Sequence, residues 1–353
     1  MARGGLYHGT PAKDVSVTID NEAKGDGMTK LLRMMVLVGI GLGLASSGWG
    51  APGLAYTGVE QVDDADFAWM GEYLTLNPTA GQQPMGLQVA ALGEGRFQAT
   101  LLKGGLPGNG WDRAERWELE GVRQDGELEL KGESYRVVIR DQQGQITDAS
   151  GTAVSSVRKV NRRSAMEGLP APAYSIVLFD GRDARAFRNP SVKNGLLQVG
   201  TELLPTYRNY RMHVEFLVPY MPQSDSQGRG NSGLYLQSRY EVQILDSFGN
   251  EGKANECGGV YRQRAPQLNM SFPPLSWQTY DLVFYSPVFN QRGEKIRNSR
   301  LTVLHNGVVI HNDIEIPTKT GAGQPEGPEL LPIKLQDHDN PVQFRNIWLV
   351  ELP

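Results

Sequence analysis

The chain has 353 residues, a formal net charge of −4, 42 glycines, 21 prolines and a single cysteine. That length suits about two domains plus a targeting segment. The absence of a long basic run argues against a surface built to neutralise nucleic-acid phosphates. One cysteine, Cys257, excludes an internal disulfide framework, so stability must come from hydrophobic cores.

Residues 1–27 are polar, carry no hydrophobic pattern, and read as a non-native or disordered extension ahead of Met28. Segment 28–50 has the layout of a secretory signal peptide. A basic start through Lys30 and Arg33 leads into the apolar run Met34–Leu44, and Gly48-Trp49-Gly50 supplies a small-x-small site. The apolar run falls short of the ~20 residues that cross a bilayer, so no stable membrane span is expected. The protein is therefore expected to be exported, to a periplasm or the extracellular space.

Residues 58–163 read as a small all-β domain. Stretches 127–131 and 135–140 alternate apolar and polar residues with period two, as half-buried strands do. Stretches 86–92 and 96–102 also read as strands, the second after a Gly-Glu-Gly turn. Loop 104–111 is too glycine-rich for a regular element, and Phe67–Leu74 has the look of a short helix. Trp111 is a candidate sugar platform, with loop packing the more ordinary role for such a residue. Residues 164–174 carry Pro170 and Pro172 and read as an extended, semi-rigid linker. In 175–353 the alternation strengthens, at 210–218, 232–237, 240–245, 279–285 and 300–305, and Asn306-Gly307 marks a hairpin turn. Many short strands at regular spacing predict a sandwich or jelly roll.

Two polar clusters stand out in this second half. In 229–246, alternation sends Leu234 and Leu236 one way and Tyr235 and Gln237 the other, with a turn expected at Ser238–Tyr240. Val242 and Ile244 then face the core while Glu241 and Gln243 join the polar surface. Tyrosine, amides and a carboxylate on one shallow face suit a sugar ring and its hydroxyls, and the same pattern also fits a solvated outer face. The second cluster is Gln336-Asp337-His338-Asp339-Asn340, where flanking carboxylates are expected to orient His338. No ligand spacing identifies a metal site; no cofactor is required, and a divalent metal at His338 stays open. Cys257, beside Gly258-Gly259, reads as a small buried residue rather than a nucleophile.

These clusters carry a family resemblance. Leu178-Phe-Asp-Gly, Asn231-Ser-Gly-Leu-Tyr-Leu-Gln, Tyr240-Glu-Val-Gln-Ile-Leu-Asp-Ser, Gly258-Gly-Val-Tyr261, Trp277-Gln-Thr-Tyr, His305-Asn-Gly-Val, Leu335-Gln-Asp-His and Phe344-Arg-Asn-Ile-Trp348 occur in family order. Through them, residues 175–353 resemble the 3-keto-disaccharide hydrolase family, with Phe187 where members usually carry tryptophan. The resemblance implies a concanavalin A-like β-sandwich (jelly roll) and cleavage of glycosides oxidised at C3. The carbohydrate is the expected partner. Glu241 and His338 are the candidate acid and base, in open order. Arg229, Asn231, Tyr235, Gln237, Gln243, Asp246, Tyr261, Gln336 and Arg345 are the candidate substrate-binding residues; alternation puts Asp246 on the face opposite Glu241 unless a bulge intervenes. The competing class is a non-catalytic lectin-like or cell-envelope interaction module, which the same architecture hosts equally well.

Overall fold

A computed structural model describes residues 54–76, 78 and 82–353, which belong to one compact unit. The expected signal segment and the extension before it lie outside the described residues. Among the described residues there are strands and three 3-10 turns but no α-helix, and no helix long and apolar enough to cross a membrane. The all-β expectation holds in both halves.

The first half is a closed antiparallel barrel. Its strands are β1 (Gly71–Leu74), β2 (Met85–Ala91), β3 (Arg96–Lys103), β4 (Arg116–Gln124), β5 (Glu127–Lys131), β6 (Tyr135–Arg140), β7 (Gln143–Asp148) and β8 (Ala153–Val160). Each pairs with the next, and β1 returns to β8, so no edge is left unpaired. Period-two alternation puts Tyr73, Leu87, Val89, Phe97, Leu128, Leu130, Val137 and Ile139 in the lumen, all buried. The helix expected at Phe67–Leu74 does not form. Residues Ala65–Ala68 make a 3-10 turn capped by Asp64, and Gly71–Leu74 becomes β1. Barrel closure requires that strand, and its ladder bonds to β2 and β8 outweigh local propensity.

The second half is a two-sheet antiparallel sandwich. Its elements are β9 (Ile176–Phe179), β10 (Val192–Lys193), β11 (Leu196–Gln198), β12 (Thr201–Glu202), β13 (Asn209–Leu217), β14 (Ser232–Leu236), β15 (Tyr240–Ile244), β16 (Trp277–Tyr285), β17 (Val288–Phe289), β18 (Lys295–Arg297), β19 (Ser299–His305), β20 (Val308–Ile316), β21 (Lys334–Leu335) and β22 (Gln343–Leu352). The large sheet runs β10-β11-β22-β13-β16-β19-β20 with β9 also on β22, the small sheet runs β12-β21-β14-β15, and β17 and β18 form a separate ribbon. Leu234, Leu236, Val242 and Ile244 of the small sheet meet Met212, Val214, Phe216, Leu282 and Phe344 of the large one, all essentially without exposure. Each such side chain contributes about 1.5–3 kcal/mol by leaving water. Asn306 and Gly307 turn between β19 and β20 with φ of 51° and 81°, the geometry an Asn-Gly hairpin needs.

The two halves interlock. Tyr220 and Phe248, from sandwich loops, belong to the barrel's core, and Tyr56 pairs by backbone with Tyr220. The connector is no free spacer. Ser164 and Thr279 share a hydroxyl–hydroxyl bond of 2.8 Å, the Gly168 N–H donates to Glu215 Oε1 (2.6 Å), and Asn346 Nδ2 donates to Leu169 O (2.9 Å). Trp111 packs against the sandwich core and donates its indole N–H to Glu115 O, the packing role rather than a sugar platform.

Candidate active site

The site is built on the outer face of the small sheet, where core-facing leucines and valines force the alternate residues outward. Register sets four strands side by side: Glu202 pairs with Lys334, Lys334 with Tyr235, and Tyr235 with Glu241. In a pleated sheet directly paired residues point to the same side, so these four make one row across β12, β21, β14 and β15. At the β15 end the row opens into a hollow of about 320 Å³. Its floor is Tyr235, Glu241 and Gln243; Gln336 and His338, which follow β21, form one wall; Tyr261 and Arg262 form another. Asn231, Gln227 and the Gly321-Ala322 loop complete it.

Glu241 sits at the centre, 2% exposed. Tyr235 donates its hydroxyl to Glu241 Oε2 at 2.8 Å, and the Thr320 hydroxyl accepts the Glu241 backbone N–H. Burial raises the carboxyl from its ordinary 4.5 to about 7, against the smaller opposing pull of Tyr235, Arg262 and Lys334. A glutamate poised near neutrality is suited to exchange protons with a substrate. Gly233, cross-strand from Gln243, makes room for it: a β-carbon there would lie 2.5 Å from Glu241 Oε1 and 3.0 Å from Gln336 Oε1. Two other lining oxygens, Asn231 Oδ1 and Gln336 Oε1, are buried without a protein partner. Buried acceptors in that condition suit a ligand's hydroxyl groups. Gln243 is held by its amide donating to Gln227 Oε1 (3.1 Å).

Of the residues singled out from sequence, Asn231, Tyr235, Glu241, Gln243, Tyr261, Gln336 and His338 share this hollow. Four others do not, and each has a physical reason. Arg229 pairs with Asp246 (Nε to Oδ2, 2.6 Å) and donates to Ala91 O at 3.1 Å, so both are spent joining sandwich to barrel. Gln237 falls in the turn itself, one residue earlier than expected. It and Ser238 take left-handed φ of 49° and 50°, which rotates the amide away to donate to Tyr207 O and to Ser286 Oγ (2.7 Å). Arg345 lies on the outer face of the large sheet, bonded to Glu215 (2.7 Å) and Glu167 (3.0 Å) and 3.9 Å above the Trp277 ring. Asp337 Oδ1 accepts the Asp339 N–H at 3.1 Å, a local turn bond. Cys257 is fully buried with its sulfur 3.2 Å from the Tyr280 hydroxyl.

Sequence reading missed Gln227, Arg262 and the 320–322 loop. Arg262 directly follows the flagged Tyr261 and stacks over its ring at 5.2 Å, a signal available from adjacency alone. The 320–322 loop is far away in the chain and reaches the site only because the Thr320 N–H and the Gln324 N–H bond to the β14–β15 turn, at Arg239 O and Ser238 O. Among the described residues no group of three or more His, Cys, Asp or Glu side chains is placed to hold a metal ion.

Fold and site together define an antiparallel β-sandwich with a polar, acid-bearing hollow on its outer face. Residues 174–350 match the family described as the 3-keto-alpha-glucoside-1,2-lyase-like domain, and the chain belongs to that family. It is accordingly a glycoside-acting protein. Solved structures similar to it include three from Parabacteroides distasonis, each described as a "putative glycosyl hydrolase". One is 35% identical over 52% of this chain and 85% of its own, with a TM-score of 0.48. The second is 17% identical over 51% and 94%, with a TM-score of 0.39. The third is 20% identical over 50% and 99%, with a TM-score of 0.35. No curated protein matches the chain.

Proposed function

We propose that this protein cleaves 3-keto-glycosides by elimination followed by hydration, with Glu241 and His338 as the acid–base pair. The observation that carries the reading is a carboxyl held at about 7 by burial inside a polar hollow that His338 also lines. A carbonyl at C3 acidifies the C2 proton. Glu241 takes that proton, the C1–C2 double bond forms, and the C1–O bond breaks. His338 delivers a proton to the departing oxygen, so an alcohol leaves and an enone stays. Water then adds at C1 with His338 as base, and Glu241, its carboxyl proton exchanged with solvent once the alcohol has left, protonates C2. The net change is one water consumed and one alcohol released.

Negative charge gathers on the C3 oxygen as C2 is deprotonated. The Gln336 amide and the Arg262 guanidinium line the hollow and are the donors for it. Burial serves the same step: a carboxylate kept from water is a stronger base than one at 4.5, yet near neutrality it is still substantially ionised. Export through segment 28–50 belongs to this reading, and mass spectrometry of the secreted protein would locate the cleavage after Gly50.

Incubating the full chain with a 3-keto-glucoside in heavy water tests the mechanism. Elimination places deuterium at C2 of the released 3-keto sugar beyond the enzyme-free control; direct hydrolysis leaves C2 unlabelled and would overturn it. A lectin-like module would bind the glycoside and release nothing.

A further inference from the structure

The barrel supplies no side chain to the hollow, yet it grips the hairpin on which the hollow is built. Strands β14 and β15 pair from Leu236 and Tyr240 beside the turn to Ser232 and Ile244 at the open end, with Tyr235, Glu241 and Gln243 between. Both chain segments at that open end run into the barrel. On the incoming side Tyr220 is buried in the barrel's core, donates its hydroxyl to Asp64 Oδ2 at 2.8 Å, and pairs by backbone with Tyr56. On the outgoing side Phe248 enters the same core, and Gly249 O accepts the Thr100 hydroxyl of β3 at 2.7 Å. Arg229 and Asp246 join the two segments. Arg229 Nε donates to Asp246 Oδ2 at 2.6 Å, the Asp246 N–H donates to Arg229 O at 3.1 Å, and Arg229 Nη1 reaches Ala91 O of β2 at 3.1 Å.

The residues on either side of Arg229 line the hollow, namely Gln227 and Asn231. In a regular extended chain Arg229 and Asn231 would point the same way. Gly230 between them takes a φ of 62°, which turns Arg229 to the barrel and leaves Asn231 to the hollow. The wall is then cross-tied: Asn231 Nδ2 donates to Gln227 O (2.7 Å), Gln227 Oε1 accepts the Gln243 amide (3.1 Å), and the Asn231 N–H donates to Asn340 Oδ1 (2.8 Å). We propose that the barrel is the scaffold of the binding hollow, with Arg229 the positioning residue that fixes the Gln227–Asn231 wall to it. The proposal takes from the reaction reading above only that a glycoside binds in this hollow. Between β13 and β14 the chain has no regular structure except the 3-10 turn Ser226–Gly228. Released from the barrel, that segment would have to be ordered by the ligand, and the entropy of ordering would come out of the affinity. A scaffold of this kind therefore acts on binding more than on the chemical step.

The test uses the full chain with methyl 3-keto-glucoside as the probe. Arg229→Lys keeps a charge beside Asp246 but lacks the second nitrogen for Ala91 O. Thr100→Val removes the barrel's donor to Gly249 O from the side remote from the hollow. Kd is measured by calorimetry, KM and kcat by leaving-group release, and folding by thermal unfolding. Arg229→Lys is expected to raise Kd and KM roughly tenfold and Thr100→Val about threefold, with kcat changing less than about threefold in either. In an Asn231→Ala background, where the wall has lost its amide, Arg229→Lys should add less than about twofold to Kd. Unchanged Kd and KM with a lowered melting temperature would show a merely structural tie and overturn the proposal. So would a full tenfold loss repeated in the Asn231→Ala background, since the effect would then bypass the wall. Weakened binding in the variants of a protein that binds the probe but never turns it over would sink the reaction and keep the scaffold. An unaltered protein that does not bind the probe would end both.

Discussion

The two outer faces of the sandwich each bury a glutamate, and the two carboxyls are driven in opposite directions. On the large sheet Glu215, with no exposure, is opposed by burial but sits among donors: His213, Asn346, the Gly168 N–H and Arg345 together hold it at about 2. His213 is likewise opposed by burial, yet Asp281 at 2.9 Å and Glu215 raise its pKa, and Trp348 stacks on its ring. On the small sheet Glu241 is equally hidden but meets one neutral donor, Tyr235, and two more distant cations, so burial wins and lifts it to about 7. Burial alone therefore does not mark a reactive group. What separates the faces is whether the protein itself completes the carboxylate's bonding. The Glu215 network clamps the connector to the sheet; Glu241 keeps its proton affinity available to something that enters the hollow.

The largest effect should come from removing that affinity. Glu241→Gln is expected to lower turnover on a 3-keto-glucoside by about 10²–10⁴-fold, read by leaving-group release with binding checked by calorimetry. The same variant sharpens the comparison through stability. A carboxyl raised from 4.5 to about 7 favours the folded state most below pH 4.5, and that contribution is lost as pH rises through 7. Replacing it should stabilise the protein above pH 7 by an amount of order 3 kcal/mol at most, measured by denaturant unfolding at pH 5 and pH 8. Destabilisation at pH 8 would contradict the assignment.

On the other face the outcome should invert. Glu215→Ala breaks a buried ion-pair network and should cost about 3–5 kcal/mol of stability, with kcat of the folded fraction little changed. Its sign with pH is also opposite: a carboxyl depressed to about 2 contributes fully above pH 4.5 and loses that contribution as pH falls toward 2. His213, being raised, contributes fully below pH 6.5 and loses its contribution above its folded value.

A smaller effect follows from crowding. Gly233→Ala puts a methyl group 2.5 Å from Glu241 Oε1, and displacing the carboxylate should lower kcat by up to about 100-fold. Thermal unfolding run alongside separates this from global damage. The smallest change belongs to Tyr235→Phe, which removes a donor that holds the Glu241 pKa down. The acid limb of kcat/KM, centred near 7 if Glu241 is the base, should move to higher pH, with a loss below about tenfold at neutrality.

Much of this was readable in the chain. Strands 127–131 and 135–140 fall where alternation put them, as does the Asn306-Gly307 hairpin, because a half-buried strand writes its period into local composition. Tyr235, Glu241 and Gln243 share a face for the same local reason. Gln237 escaped it, since two left-handed residues in a turn reverse a direction that period-two counting assumes. Arg229 escaped it too, its acceptor Ala91 O lying in the barrel, well over a hundred residues back, whereas alternation itself sets Asp246 on the face opposite Glu241.

Local pattern, then, determined the all-β class, the strands and the outward direction of the row's central residues, since each depends on neighbours within a few positions. Closure of the barrel, the meeting of His338, Tyr261 and the 320–322 loop around Glu241, and the opposite fates of two buried glutamates were decided only by tertiary structure. The physical reason is that a carboxyl's proton affinity depends on which distant donors reach it, and that is settled only when sheets and loops pack.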